Sequence, residues 1–206
     1  MPNSVSASPA LMALRLAMHR WVTEGKSPPP SAYPKLSDGT LVPVSEVHFP
    51  TVPGIALPRD IRAGVRLWNP LWPNGAGAGM ELPLLVPQVD ADGNDLAGIR
   101  MPDLTVPLAS CTGWFLRPVS MGGSGELVPL KGSWFPFALS KKQREELGDP
   151  RPAVDERYAS KDAYLERVDT ALQDLTNQGY LLTEDWPSIQ KQAGAQWDWF
   201  AGRKSP

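Results

Sequence analysis

The chain has 206 residues, of which 42% are hydrophobic and 20% charged, with a net charge of −2, a balance that fits one folded soluble domain and excludes a disordered tail. The basic residues are scattered, with no stripe or arginine-rich arm, which excludes an electrostatic nucleic-acid partner. A single Cys excludes an internal disulfide, and no apolar run reaches the ~18 residues that a membrane span requires.

The first predicted element is a helix over residues 9–25. Ser8 is the expected cap, Pro9 suits the first helical position and Gly25 the C-terminal cap. Leu11, Leu14, Met18, Trp21 and Val22 recur at helical spacing and make one apolar face that calls for a partner surface. The run from Leu11 to Met18 is too short for a signal peptide, is broken by Arg15 and lacks a basic region before it. Pro28-Pro-Pro-Ser-Ala-Tyr-Pro34 reads as an extended strap.

Proline is the compositional outlier, 23 in the chain against a usual share of about 5%. Most of it lies between Pro28 and Pro136, so regular ladders there must be short. Asp38-Gly39 predicts a turn joining Tyr33–Leu36 to Thr40–Val42 as a small hairpin. A second hairpin is expected from Leu82–Val89 and Leu96–Met101 about Asp92-Gly-Asn94, with further strands at Val106–Ala109 and Ser133–Phe137. The last third turns helical. Ser140 opens a short helix that stops at Gly148, and Ser160 opens a longer one to about Gln178 with Tyr164, Leu165, Val168, Leu172 and Leu175 facing the core. Thr183 opens the last helix, made irregular by Pro187, with Ile189, Ala193, Trp197 and Phe200 as its apolar face.

Candidate chemistry is sparse. Acyl transfer by a triad needs a serine on a strained strand-to-helix turn, and no Gly-x-Ser-x-Gly elbow occurs in the chain. Ser124, in Gly122-Gly-Ser-Gly125, lacks that spacing and reads as a surface loop. His19 lies off the apolar stripe of the first helix, and His48 precedes Phe49-Pro50 in a loop. Cys111 reads as a buried apolar residue rather than a nucleophile. Asp90-Ala-Asp-Gly-Asn94 imitates the start of a calcium loop, but Met101 stands where the pattern needs Glu, so a polar turn explains it. No cofactor or metal is implied. The tryptophans, eight in all, offer more: Trp68 and Trp72, two indoles among prolines, are candidates for a cleft floor, with mutual packing as the plainer reading. Trp114 and Arg117 are candidates for contact with a ligand or with another part of the protein, Arg117 as a planar fork for a carboxylate or as half of a structural salt bridge.

The stretch Gly98-Ile-Arg-Met-Pro-Asp-Leu-Thr-Val-Pro-Leu-Ala-Ser-Cys-Thr-Gly-Trp-Phe-Leu-Arg117 resembles a signature near the C-terminal end of large bacterial esterase-like proteins, the alpha/beta-hydrolase-domain family. Further blocks follow the same order: Arg20-Trp-Val-Thr-Glu-Gly25, Phe49-Pro-Thr-Val-Pro-Gly54, Leu85-Val-Pro-Gln-Val89, Gly132-Ser-Trp-Phe-Pro-Phe-Ala138, Gly148-Asp-Pro-Arg-Pro152 and Glu156-Arg-Tyr158. The resemblance spans roughly residues 9–190. It implies a parent carboxylic-ester hydrolase whose nucleophile and His lie upstream of this stretch, making the chain a C-terminal segment, silent alone. Its partners would be the missing catalytic half or a small ester. The implied fold class is α+β: a helix at 9–25 completing a hydrolase core, a Pro- and Trp-rich strand-and-loop region at 26–139 and a helical appendage at 140–206. A stand-alone, non-catalytic binding module with a Trp-rich cleft is the alternative.

Overall fold

A computed structural model describes residues 5–58, 65–66, 80–81 and 83–202. Helix α1 spans Ser8–Glu24, with Pro9 in its first turn and Gly25 closing it in the left-handed region (φ 70°), its N–H bonded to Trp21 O. Ser8 does not cap it. It is itself the first helical residue, and the Ser6 hydroxyl accepts the Ser8 N–H instead. The helix meets the core through Ala10 and Ala13, whose small side chains let the backbone approach closely, with Leu14 partly buried beside them. The predicted apolar stripe is otherwise uncovered: Leu11 is 57%, Met18 54%, Trp21 51% and Val22 73% exposed. No helix among the described residues is long and apolar enough to cross a membrane.

The strands form three separate two-stranded antiparallel ribbons among the described residues. β1 (Leu41–Pro43) pairs with β4 (Leu85–Pro87), β2 (Val65–Arg66) with β3 (Met80–Glu81), and β5 (Ala109–Thr112) with β6 (Ser133–Pro136). The turn at Asp38-Gly39 is present, with the Asp38 carboxylate accepting from the Thr40 N–H and hydroxyl. The hairpin predicted across it does not form. Lys35 O takes the Thr40 and Leu41 N–H groups to close the turn, and Pro34 has no donor to continue a ladder, so Leu41–Pro43 pairs some forty residues away.

The second hairpin exists only at its tip, as a Val89–Asp95 bridge and a Leu96 N–H to Gln88 O bond. Gly98 (φ 94°) then turns the chain away, and the short helix α2 (Pro102–Thr105) follows. The strand expected at Val106–Ala109 therefore starts later, since Val106 bonds back to Pro102 O and Pro107 has no donor.

Local sequence signals hold best in the helical third. α3 (Lys141–Leu147) is capped by Ser140, whose Oγ accepts from Gln143 N–H at 3.3 Å, and ends at Gly148 (φ 65°). α4 spans Val154–Arg157, and α5 spans Lys161–Asn177 with Ser160 Oγ accepting from Ala163 N–H at 3.1 Å. Its Val168 and Leu172 are fully buried, with Tyr164 and Leu175 in the same core, each such side chain contributing about 1.5–3 kcal/mol. The irregular start foreseen at Thr183 is a 3₁₀ turn, Thr183–Asp185, after which α6 runs Trp186–Ala201 with Pro187 in its first turn. Ala193 and Phe200 of α6 are buried against α5 and β6, and the polyproline strap is tied to the end of α5 by the Tyr180 hydroxyl, which donates to Pro30 O.

Candidate functional site: an apolar cleft at Trp114

Beyond β5 the chain turns sharply. The hydroxyls of Thr112 and Ser133 both donate to Trp114 O at 2.8 Å, which fixes the backbone where the two strands part. The Trp114 indole then lies between Phe49 (ring centroids 5.9 Å apart, 60° between planes) and Phe135 (5.7 Å, 47°). Trp114 and Phe49, with Val44, Val47, Val86 and Val89 from the β1–β4 ribbon and its flanks, line an open cleft of about 360 Å³. That size and lining suit a small apolar ligand. Among the described residues that line it, Asp95 is the one ionisable residue.

The loop leading to Asp95 explains its own acidic composition. Asp90 Oδ1 accepts from the N–H groups of Asp92 and Asn94, both at 3.0 Å, and Oδ2 pairs with Arg100 at 2.7 Å. Asp92 pairs with Arg157, and Asn94, fully buried, accepts from Cys111 N–H at 2.7 Å and donates to Ala109 O. These carboxylates are committed to arginines and turn amides, and no cluster fit for a metal ion occurs among the described residues. Asp95 differs. Burial pushes its carboxyl above the ordinary range, with Arg100 opposing and Asp90 adding to the shift.

Gly93 is required where it stands. Its φ is 81°, and a Cβ there would lie 2.6 Å from the Phe49 ring. Gly93→Ala is expected to cost about 1–3 kcal/mol and to displace Phe49 from the cleft wall, read as a lowered denaturation midpoint. An unchanged midpoint would show that neither the positive φ nor the Phe49 contact constrains this position.

Trp114 thus reaches a cleft. Arg117 lies three residues on in an exposed loop, bonded through its backbone to Glu126 O and Gly125 N–H, and its side chain forms no ion pair with a described residue. Trp68 and Trp72 lie outside the described residues. His19, His48 and Ser124 are all exposed and are not hydrogen-bonded to one another through their side chains. Cys111 is buried, its thiol pushed up to about 12 by burial with Asp103 adding, so it is protonated at neutral pH.

The sequence model of the Alpha/beta hydrolase domain family matches residues 1–191. The chain belongs to this family. Neither the curated proteins nor the solved structures give a match. Within the family match, the motif blocks divide by role. Thr112-Gly-Trp114 and Phe49 build the cleft, whereas Asp149, Arg151 and Tyr158 hold the chain beneath it. Arg151, 2% exposed, donates to both oxygens of Asp149, to Ser110 Oγ at 2.7 Å and to Phe135 O at 3.0 Å, tying the turn before α4 to both strands of the β5–β6 ribbon. Tyr158 donates to Pro107 O at 3.0 Å.

Sequence reasoning passed over Asp95 and Arg151. Asp95 is one carboxylate in an Asp- and Asn-rich turn, and only the Val89–Asp95 pairing fixes where the strand pair carries it. Arg151 offered the signal of an arginine between two prolines, two residues from an aspartate, which is too little to separate a buried pair from a surface one.

Proposed function

We propose that this chain is the C-terminal segment of a carboxylic-ester hydrolase, that it presents the cleft at Trp114 to part of a small ester, and that alone it turns over no ester. The observation carrying this reading is that the family's Thr-Gly-Trp block forms a wall of the cleft, while the chain's histidines and Ser124 stand exposed outside it. In the parent reaction a serine attacks the acyl carbon and water then releases the acid, steps that require a nucleophile, a base and an oxyanion hole. In this reading those groups reside in a preceding segment. Residues 9–25 dock on its core, 26–139 wrap the mouth of the site and 140–206 pack behind it.

The exposed stripe on α1 supports the docking role. Leu11, Met18, Trp21 and Val22 form a contiguous helical face of large apolar groups, the kind of surface that proteins ordinarily cover. It weighs against the stand-alone binding module, which shares the cleft but gives no reason for that face.

The purified chain is expected to release p-nitrophenol from p-nitrophenyl acetate, butyrate and octanoate at the uncatalysed rate. Turnover above that rate, lost when a serine of the chain is changed to Ala, would overturn the reading and place a nucleophile within these residues.

A further inference from the structure

We propose that the cleft selects a ligand with an apolar, preferably aromatic body and a protonated amine, with Asp95 supplying the counter-charge. The proposal rests on the reading of this cleft as the ligand-binding wall of the hydrolase and adds the class of ligand. In that setting the ligand is an ester, or its alcohol or acid product, that carries a basic nitrogen.

The pairing of charges around the cleft carries the inference. Three aspartates lie close together on this hairpin. Asp90 is held by Arg100 at 2.7 Å and Asp92 by Arg157, while the Asp95 carboxylate has neither an ion pair nor a hydrogen bond with a described residue. Arg100 is near enough to act on it, but its Nη2 is bonded to Asp90 and to Leu104 O. Asp95 is a partly buried lining residue among valines, prolines and aromatic rings, with no described partner for its carboxylate, and a cation entering the cleft offsets the cost of that burial.

The walls fit the same ligand. Trp114 and Phe49 meet edge to face at 5.9 Å, and both line the cleft. Aromatic faces favour a cation beside them and accept an aromatic body by offset or edge contact. A carboxylate-bearing ligand of the same shape would meet Asp95 as a like charge.

Three probes of matched body separate the possibilities: 2-phenylethylammonium chloride, 2-phenylethanol and 3-phenylpropanoate. Binding is read from the Trp114 indole N–H resonance, assigned by its loss in Trp114→Phe, so that the site and the affinity are observed together. The ammonium is expected to bind about tenfold or more tightly than the alcohol, the increment of a charge-assisted contact, and the carboxylate most weakly. Asp95→Asn, which keeps shape and removes charge, is expected to bring ammonium and alcohol to within roughly twofold of each other. Equal binding of ammonium and alcohol to the unmodified chain, or a preference that survives Asp95→Asn, overturns the selectivity and leaves the cleft as an apolar site. A Trp114 resonance that moves with none of the three probes overturns both this inference and the assignment of the cleft as a ligand-binding wall.

Discussion

Arg151→Met is expected to remove about 3–5 kcal/mol of stability, a large share of the roughly 5–15 kcal/mol that holds a domain together. The guanidinium is 2% exposed and distributes its donors over Asp149, Ser110, Phe135 O and Pro136 O, while also lying 5.0 Å from the centre of the Phe137 ring. Removing it strands the Asp149 carboxylate, itself 6% exposed, and leaves strand carbonyls without donors. Replacing both partners, as in Asp149→Leu with Arg151→Met, is expected to cost less than the single change, because no buried charge is then left alone. Chemical denaturation of the three proteins decides the matter. A double variant as unstable as Arg151→Met would mean that the strand contacts, rather than the stranded charge, carry the loss.

The same pair gives an acid dependence. Burial alone would push the Asp149 carboxyl up, but the hydrogen bonds and charge of Arg151, with Arg144 behind, outweigh it and hold the group below the ordinary carboxylate range. A carboxylate whose folded pKa is lowered contributes fully above its unfolded value of about 4 and loses that contribution as the pH falls through the folded value. The unmodified chain should therefore lose stability in acid with a component that the double variant lacks.

The helices were legible in the sequence because their determinants are local. Ser140 and Ser160 sit one residue before the turns they cap, and Gly25, Gly148 and Gly179 take the positive φ that ends each run. The α5 stripe follows directly from spacing. The strand pairing was not legible, because it is decided by which donors remain after turns and prolines have taken theirs. Leu41–Pro43 pairs with Leu85–Pro87 while Pro34 has no N–H and the Lys35 N–H is taken by the Thr40 hydroxyl, and a sequence window of ten residues contains no trace of that. The site shows the same division. Trp114 was visible through its motif, whereas the cleft beside it is assembled from Phe49, the β1–β4 ribbon and Asp95, segments that meet only after the non-local pairing is made.

Phe200→Ala is expected to cost about 3–5 kcal/mol, the range for removing a large buried aromatic, although the family match ends at residue 191. Phe200 is 1% exposed and packs edge to face on Trp134 at 5.6 Å, placing the last turn of α6 against β6. Three residues earlier, Trp197 stacks on Tyr164 at 5.2 Å and meets Tyr158, so the same stretch of α6 also covers the start of α5. Because β5 and β6 carry Thr112 and Ser133, whose hydroxyls fix Trp114, loosening Phe200 should reach the cleft as well. The check is a denaturation midpoint together with hydrogen exchange at Ser110 and Phe135, a pair in the register of the ribbon. Loss confined to α6, with ribbon protection unchanged, would show that the last helix is a separable cover. Loss shared by both would make residues beyond the family match part of what shapes its cleft.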